Sequence, residues 1–190
     1  VTVRRLDDAA HMRALAHPTR LRIVGLLRTG GAQTAAMLGD VIDEAPGTIS
    51  YHCRRLAEAE LIEPAPDLGA DRRERWWRAT ADRTSWDLAE AFGDPERLVA
   101  ATELGHTVAQ AYATEYQRFI DQAPVLGREW VAASTSSDQV LRLTPDELAG
   151  LGAELAAVLD RWTAVSDAHT ADDGAEQVIA VTQAYRTTRR

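Results

Sequence analysis

The chain has 190 residues, 45% of them hydrophobic and 26% charged, with a formal net charge of −8. That length allows one large domain or two small ones with a true core, and the composition excludes the disordered and fibrous classes. No apolar run approaches the ~20 residues of a membrane helix, the first residues lack a signal-peptide pattern, and the single cysteine excludes an internal disulfide framework, so a cytoplasmic protein without membrane partners is expected.

The negative charge is unevenly placed. Residues 1–80 hold 12 Arg against 11 acids, a balance of +1, whereas residues 81–190 hold 9 Arg against 18 acids, a balance of −9. The first part is thus free to approach a polyanion that the second would repel. Every one of the 21 basic residues is arginine.

In chain order, residues 6–16 have helical spacing, with Leu6, Ala9, Ala10 and Leu15 apolar. His17-Pro18 ends that segment and opens a helix over 18–28, apolar on much of its circumference (Leu21, Ile23, Val24, Leu26, Leu27), as a central core helix should be. Gly30-Gly31 stops it. Thr34 suits the N-cap of a short helix whose inward pairs are Met37, Leu38, Val41 and Ile42. After the brief turn at Asp43-Glu44, residues 45–61 read as a helix with two unlike faces. Pro46 fits its first position, and Ile49, Cys53, Leu56 and Ala57 form one apolar stripe. The opposite face carries Thr48, Tyr51, Arg54 and Arg55, flanked by Ser50 and His52, the kinds of group that donate to phosphates and base edges. Two short helices joined by a tight turn, the second leading with polar donors, make a helix-turn-helix.

A hairpin is expected next. Residues 61–64 are a strand candidate, 65–74 a polar loop, and 75–79 (Arg-Trp-Trp-Arg-Ala) a returning strand with one aromatic on each face. With Arg72, Arg73 and Arg75 at its tip, this hairpin reads as a wing that reaches flanking phosphates or the minor groove.

Three motifs, Ala14-Leu15-Ala16-His17-Pro18-Thr19-Arg20-Leu21-Arg22-Ile23, Gly47-Thr48-Ile49-Ser50-Tyr51-His52 and Arg73-Glu74-Arg75-Trp76-Trp77-Arg78, stand in the order found in ArsR-like winged helix-turn-helix repressors. Residues 6–80 resemble that family, and most of all its branch common in actinobacteria, which has an extended C-terminal region. The resemblance implies a dimeric transcriptional regulator in which the Ser-x-His segment, here Ser50-Tyr51-His52, lies at the DNA. One departure matters. Metal-sensing members carry a Cys-x-Cys type box in the helix before the recognition helix, and residues 34–40 here contain no cysteine. Cys53 sits on the inward stripe as a core residue, and the five histidines show no short ligand spacing with one another, so neither a metal nor a cofactor is expected.

From Asp82 the chain turns acidic and mostly helical. A short helix is expected over 85–92, burying Trp86 and Leu88, and a long one over 95–121, broken at Gln122-Ala123-Pro124. The apolar positions Leu98, Ala101, Leu104 (or Gly105), Val108, Tyr112, Tyr116 and Phe119 recur every three to four residues and suit a partner helix, with packing inside the chain as the alternative. One further helical turn is placed at 128–133. Thr144-Pro145-Asp146-Glu147 starts a helix burying Leu148, Leu151, Leu155, Val158, Leu159, Trp162 and Val165. Residues 139–143 and 177–185 alternate as strands and are expected to pair. The predicted class is mainly α with small β (α+β). It consists of a winged helix-turn-helix domain (1–80) followed by a helical dimerisation and effector region (81–190) with a short two-stranded antiparallel pair.

The function expected is sequence-specific binding of double-stranded DNA by a homodimer, most simply as a repressor reading an inverted repeat. The DNA-facing residues would be Thr34, Thr48, Ser50, Tyr51, His52, Arg54, Arg55, Arg72, Arg73 and Arg75. Thr48, Tyr51 and Arg55 are assigned to base edges, and Ser50, His52, Arg54 and the wing arginines to phosphates. A protein-interaction module on the same fold is the alternative, and arginines clustered on both helix and wing speak against it. An enzyme is not expected, since the chain has no phosphate-cradling glycine loop, nucleophile elbow or carboxylate–histidine cluster. Trp86, Trp130, Trp162, Tyr112 and Tyr116, aromatics at helical spacing, are read first as core or dimer interface, with a pocket for an unidentified hydrophobic small-molecule effector among them as the alternative.

Overall fold

The computed structural model describes residues 2–68, 75–170 and 173–187. The chain divides into two compact units, residues 1–122 and 123–190. In the first, strand β1 (Val3–Arg5) precedes helices α1 (Ala9–Leu15) and α2 (Pro18–Thr29), strand β2 (Gln33–Thr34), helices α3 (Ala35–Ile42) and α4 (Pro46–Glu58), and strands β3 (Ile62–Pro64), β4 (Trp76–Ala79) and β5 (Arg83–Ser85). A single 3-10 turn (Ala89–Ala91) leads to the long helix α5 (Pro95–Leu126).

The helical starts follow from local chemistry. Asp8 caps α1 by accepting from the His11 N–H at 2.8 Å, and Thr34 caps α3 by accepting from the Met37 N–H at 3.3 Å. Helices α2 and α4 both begin with proline, whose missing N–H is no loss at the first position. The mainly α class with a small sheet is what the sequence predicts, but the sheet is richer than the hairpin alone. Strand β4 lies between β3 and β2, antiparallel to both, with Glu63 opposite Arg78 and Gln33 opposite Trp77. Strand β1 pairs with β5 in parallel. Neither β1, β2 nor β5 was expected, because two- and three-residue strands have too few positions to show a period of two.

The core is one cluster. Met12 and Leu15 of α1, Ile23, Val24 and Leu27 of α2, Leu38 and Ile42 of α3, and Ile49, Cys53 and Leu56 of α4 meet under Trp77 of β4. Leu6, Ala91, Ala100, Ala101 and Leu104 belong to the same cluster, so the start of α5 packs with the helices that precede it. Met37 and Val41, expected inward, are exposed, and only Leu38 and Ile42 of that helix are buried with Gly39. Burying these side chains contributes roughly 1.5–3 kcal/mol each before the entropy cost of ordering them.

The joint between α3 and α4 is the tightest place in the unit. The carbonyl of Gly39 accepts from both the Asp43 and Glu44 N–H groups, at 2.8 and 3.1 Å, and Asp43 takes the left-handed conformation with φ 65°. The Glu44 carbonyl lies so close over Gly39 that a Cβ there would stand 2.6 Å from its oxygen. Arg22 of α2 clamps the joint from the other side, its guanidinium donating to the carbonyls of Val41 and Ile42 at 2.8 and 3.3 Å. These are the last carbonyls of α3, which have no partner within the helix.

The C-terminal part departs from expectation in three ways. Helix α5 does not break at residues 122–124 but runs on past Pro124 to Leu126 and ends at Gly127, with φ 86°. The second unit contains helices α6 (Arg128–Ala133) and α7 (Pro145–Ser166), the latter started by the expected capping box of Thr144 and Glu147. No side chain of α6 or α7 is buried, and Val158, Trp162 and Val165 are exposed rather than covered. The expected strand pair is also absent: residues 139–143 and 177–185 adopt no strand and lie exposed. Strand propensity needs a neighbouring strand and a face to bury, and among the described residues these stretches pair with no strand and lie exposed. In the loop after β5, Leu88 is exposed and the turn buries Ala91 in its place.

Replacing Gly39 with alanine forces the joint apart. The expected outcome is a loss of about 1–3 kcal/mol of unfolding free energy, measured by urea titration. Wild-type stability for Gly39→Ala would show that the joint relaxes freely.

Candidate nucleic-acid interface

Helix α4 presents the two faces that its sequence predicts. Ile49, Cys53 and Leu56 are completely buried, whereas Thr48, Tyr51, Arg54 and Arg55 are exposed on the opposite side, Tyr51 by 51%. Ser50 is half-buried. Arg55 is steadied within the helix by Glu58, Nη1 to Oε2 at 2.6 Å, an exposed pair one turn apart that offers its remaining donors outward. An exposed pair of this kind adds little to stability, and its use lies in orientation.

Two of the residues expected at the interface are turned inward. Thr34 is 6% exposed and spends its hydroxyl on the first turn of α3, in a strand paired with Trp76. His52 is 7% exposed, because its position beside Cys53 and one turn from Ile49 puts it on the rim of the buried stripe. Of the wing arginines, Arg72 and Arg73 lie outside the described residues. Arg75 is exposed, its guanidinium 5.5 Å above the ring of the buried Trp77. Behind it, Arg78 donates to Glu63 across the strand pair at 2.7 Å, and that carboxylate holds the guanidinium's pKa above its ordinary value. The structure thus brings Thr48, Ser50, Tyr51, Arg54 and Arg55 together on one helix.

His52 has a partner that the sequence did not reveal. Its ring lies 4.6 Å, centroid to centroid, from that of His17, the residue that opens α2, and the Tyr51 ring meets His52 edge-on at 5.4 Å. The Nδ1 atoms of both histidines are buried and have no hydrogen-bond partner among the described residues. Burial lowers both histidine pKa values, and the neighbouring Arg20 charge lowers them further, while Glu44 opposes the shift. Arg20 itself is half-buried at the first turn of α2 and donates to the Arg13 carbonyl at 2.9 Å. The charge of Arg20 is felt by His17 and His52, and it in turn senses Tyr51 and Arg55. One signal could have found it. Arg20 stands three, four and seven residues before Ile23, Val24 and Leu27, so it is an arginine on the core-facing stripe of a helix.

Residues 15–65 match the family model of a helix-turn-helix domain. The stretch runs from the end of α1 to just past β3, so it contains the α3–α4 joint and the whole of the two-faced helix. No curated protein matches the chain. Among solved structures, Lactococcus lactis ZitR, as a double mutant in apo form, aligns over 77% of this chain and 83% of its own at 18% identity, with a TM-score of 0.32. A possible transcriptional regulator for arsenical resistance aligns over 66% of this chain and 97% of its own at 29% identity, also with a TM-score of 0.32. Wild-type ZitR in complex with DNA covers 76% of this chain and 74% of its own at 17% identity, with a TM-score of 0.31.

Among the described residues no cluster of three or more His, Cys, Asp or Glu side chains could hold a metal, and no helix is long and apolar enough to cross a membrane. Cys53 is fully buried and its thiol is pushed up to about 12 by desolvation. An open cleft of about 310 Å³ is lined by Arg4, Ala57, Glu60, Ile62, Glu63, Pro64 and Thr80 and includes none of Trp86, Tyr112, Tyr116, Trp130 and Trp162.

Two measurements check this chemistry. At pH 8 the Cys53 thiol stays protonated, so iodoacetamide should label it in denaturant and leave it untouched in the folded protein. Because His17 and His52 bind protons more weakly when folded than when unfolded, their contribution to stability is intact above the unfolded pKa of about 6.5 and is lost as pH falls through the folded values. The melting temperature should therefore drop between pH 7.5 and pH 5, before the carboxylates titrate, and a His17→Gln/His52→Gln double variant should show a flatter profile whatever its absolute stability.

Proposed function

We propose that the protein is a sequence-specific DNA-binding transcriptional regulator, a repressor, that acts as a homodimer on an inverted-repeat operator. One observation carries the reading. Within a matched helix-turn-helix domain, the second helix buries a complete apolar stripe and leaves Thr48, Tyr51, Arg54 and Arg55 outward. A helix so mounted can enter a major groove, with Thr48, Tyr51 and Arg55 at base edges and Ser50, Arg54 and the wing residues Arg72, Arg73 and Arg75 at phosphates. Thr34 and His52 are left out of the contact set, since both are buried.

Dimerisation is supported by helix α5. Beyond Leu104 its stripe continues through Tyr112, Tyr116 and Ile120, exposed by 40, 47 and 52%, and Tyr116 stacks on Phe119 at 6.2 Å. A surface so apolar on a helix of 32 residues is costly to leave in water. A second copy of the same helix would cover it and set two recognition helices ~34–36 Å apart. Repression, as opposed to activation, rests on the family resemblance. An effector, if the protein has one, would act through the acidic region after residue 80.

The test is selection of binding sites from random duplexes by the full chain, followed by titration of the selected duplex over a salt series, with light scattering for mass. A dimer enriching a palindrome, whose log affinity falls linearly with log salt, is the expected result. A chain that enriches nothing and ignores DNA at low salt would overturn the proposal and favour a protein-interaction module. Arg72→Ala should weaken binding equally on all sequences and flatten the salt slope by about one per protomer. Tyr51→Ala should instead narrow the gap between selected and random duplexes by about 1–3 kcal/mol.

A further inference from the structure

The cluster at the start of α2 lies at the rim of the apolar core, outside its set of packed side chains, and meets the outer face of α4 at Tyr51. Arg20 and the two histidines carry three buried ring or guanidinium nitrogens with no hydrogen-bond partner among the described residues, His17 Nδ1, Arg20 Nε and His52 Nδ1. Buried polar nitrogens are rarely left so, and three in one cluster ask for an explanation. Tyr51 joins them to the outer face, since its ring touches His52 and it is itself half exposed. Arg20, half-buried in the first turn of α2, and the exposed Arg55 of α4 are like charges that disfavour each other. An anion between or beside them would relieve that repulsion.

We propose that Arg20 is a DNA-backbone ligand, receiving a phosphate at the edge of the recognition helix, and that the His17–His52 pair beneath it takes up a proton when the phosphate arrives. The proposal rests on the DNA-binding reading above and adds to it a contact from α2, outside the recognition helix and the wing. The coupling follows from charge. Arg20 disfavours a proton on either ring, and a phosphate seated on Arg20 cancels that effect and adds a negative charge of its own. The groups facing the pair are Arg20 from α2, Glu44 from the α3–α4 joint and Tyr51 from α4, with Arg55 acting through Arg20. Glu44, whose Oε1 lies 3.4 Å from the Thr19 hydroxyl, already favours the proton, so the pair is balanced between opposing charges. The sign is fixed by linkage. If phosphate raises the histidine pKa values, binding takes up protons between the free and bound values, and affinity rises as pH falls through that window.

The experiment uses the full chain and two duplexes, one of random sequence and one selected as above, from pH 8 to pH 5.5 at constant ionic strength. Wild type should bind both more tightly as pH falls. Arg20→Gln should lose affinity several-fold and equally on both, flatten the salt slope by about one per protomer, and lose most of the pH dependence. Arg20→Lys, which keeps the charge, should restore the slope. Histidine NMR signals of the wild type, followed with and without the random duplex, should show two rings whose pKa values rise on binding, a readout that does not depend on any variant folding. Wild-type affinity and slope in Arg20→Gln, or histidine pKa values unmoved by duplex, would overturn the proposal while leaving the regulator reading intact. A wild type that ignores both duplexes at low salt would end both. Inorganic phosphate substituted for chloride is the control for a free anion: shifts of the two rings equal to those with duplex would assign the site to the free ion and overturn the backbone contact.

Discussion

The placing of α4, and so of its outer face, depends on the joint between α3 and α4. Its direction is set by two N–H groups converging on the Gly39 carbonyl, by Asp43 in a left-handed turn, and by the Arg22 guanidinium drawn onto the last carbonyls of α3. With the joint fixed, the buried stripe Ile49, Cys53 and Leu56 has one place to go, against α2 and α3. The outer face of α4 is then determined by exclusion. The polar residues are exposed because the apolar ones are buried, and the connection that orients the helix is tied by the Gly39 and Arg22 hydrogen bonds.

Helix α2 is the second constraint. It carries the centre of the core through Ile23, Val24 and Leu27, the clamp through Arg22, and a tie to the sheet through Arg28. The Arg28 guanidinium donates to the Ala81 carbonyl at 2.9 Å and to the Thr84 hydroxyl at 2.5 Å, which fixes the chain leaving the wing. Its first turn brings His17 and Arg20 to the edge of the recognition face. One helix thus connects core, joint and interface, and a charge change at its start is felt by groups on α4.

The second unit obeys different physics. Its helices form from local signals, the capping box of Thr144 and Glu147 above all, and among the described residues neither α6 nor α7 buries a side chain. Leucines at 148, 151, 155 and 159 repeat at helical spacing and remain only half-buried. Amphipathic helices with uncovered stripes have their stability still to gain from association, which is why the oligomeric state bears so heavily on the proposed function.

The sequence by itself determined the helices, the turn between them and the two faces of α4. Proline at a first position, a threonine or aspartate cap, and apolar residues at i, i+4 and i+7 act over one or two turns, so their consequences can be read without knowing what lies opposite. It also showed a hairpin after the recognition helix, because Ile62 and the Trp76-Trp77 pair flank a polar loop. Only the tertiary structure decided the rest. Strands of two or three residues exist by virtue of their partners, so β1, β2 and β5 left no local trace, and the strand-like residues 177–185 found none. The burial of Thr34 comes with its place in β2 opposite Trp76, and that of His52 with the ring of His17 lying against it, and neither neighbour is shown by a helical wheel. The meeting of His17 with His52, 35 positions apart in sequence and 4.6 Å apart in space, exists only because the joint at Gly39 folds α4 back across the start of α2.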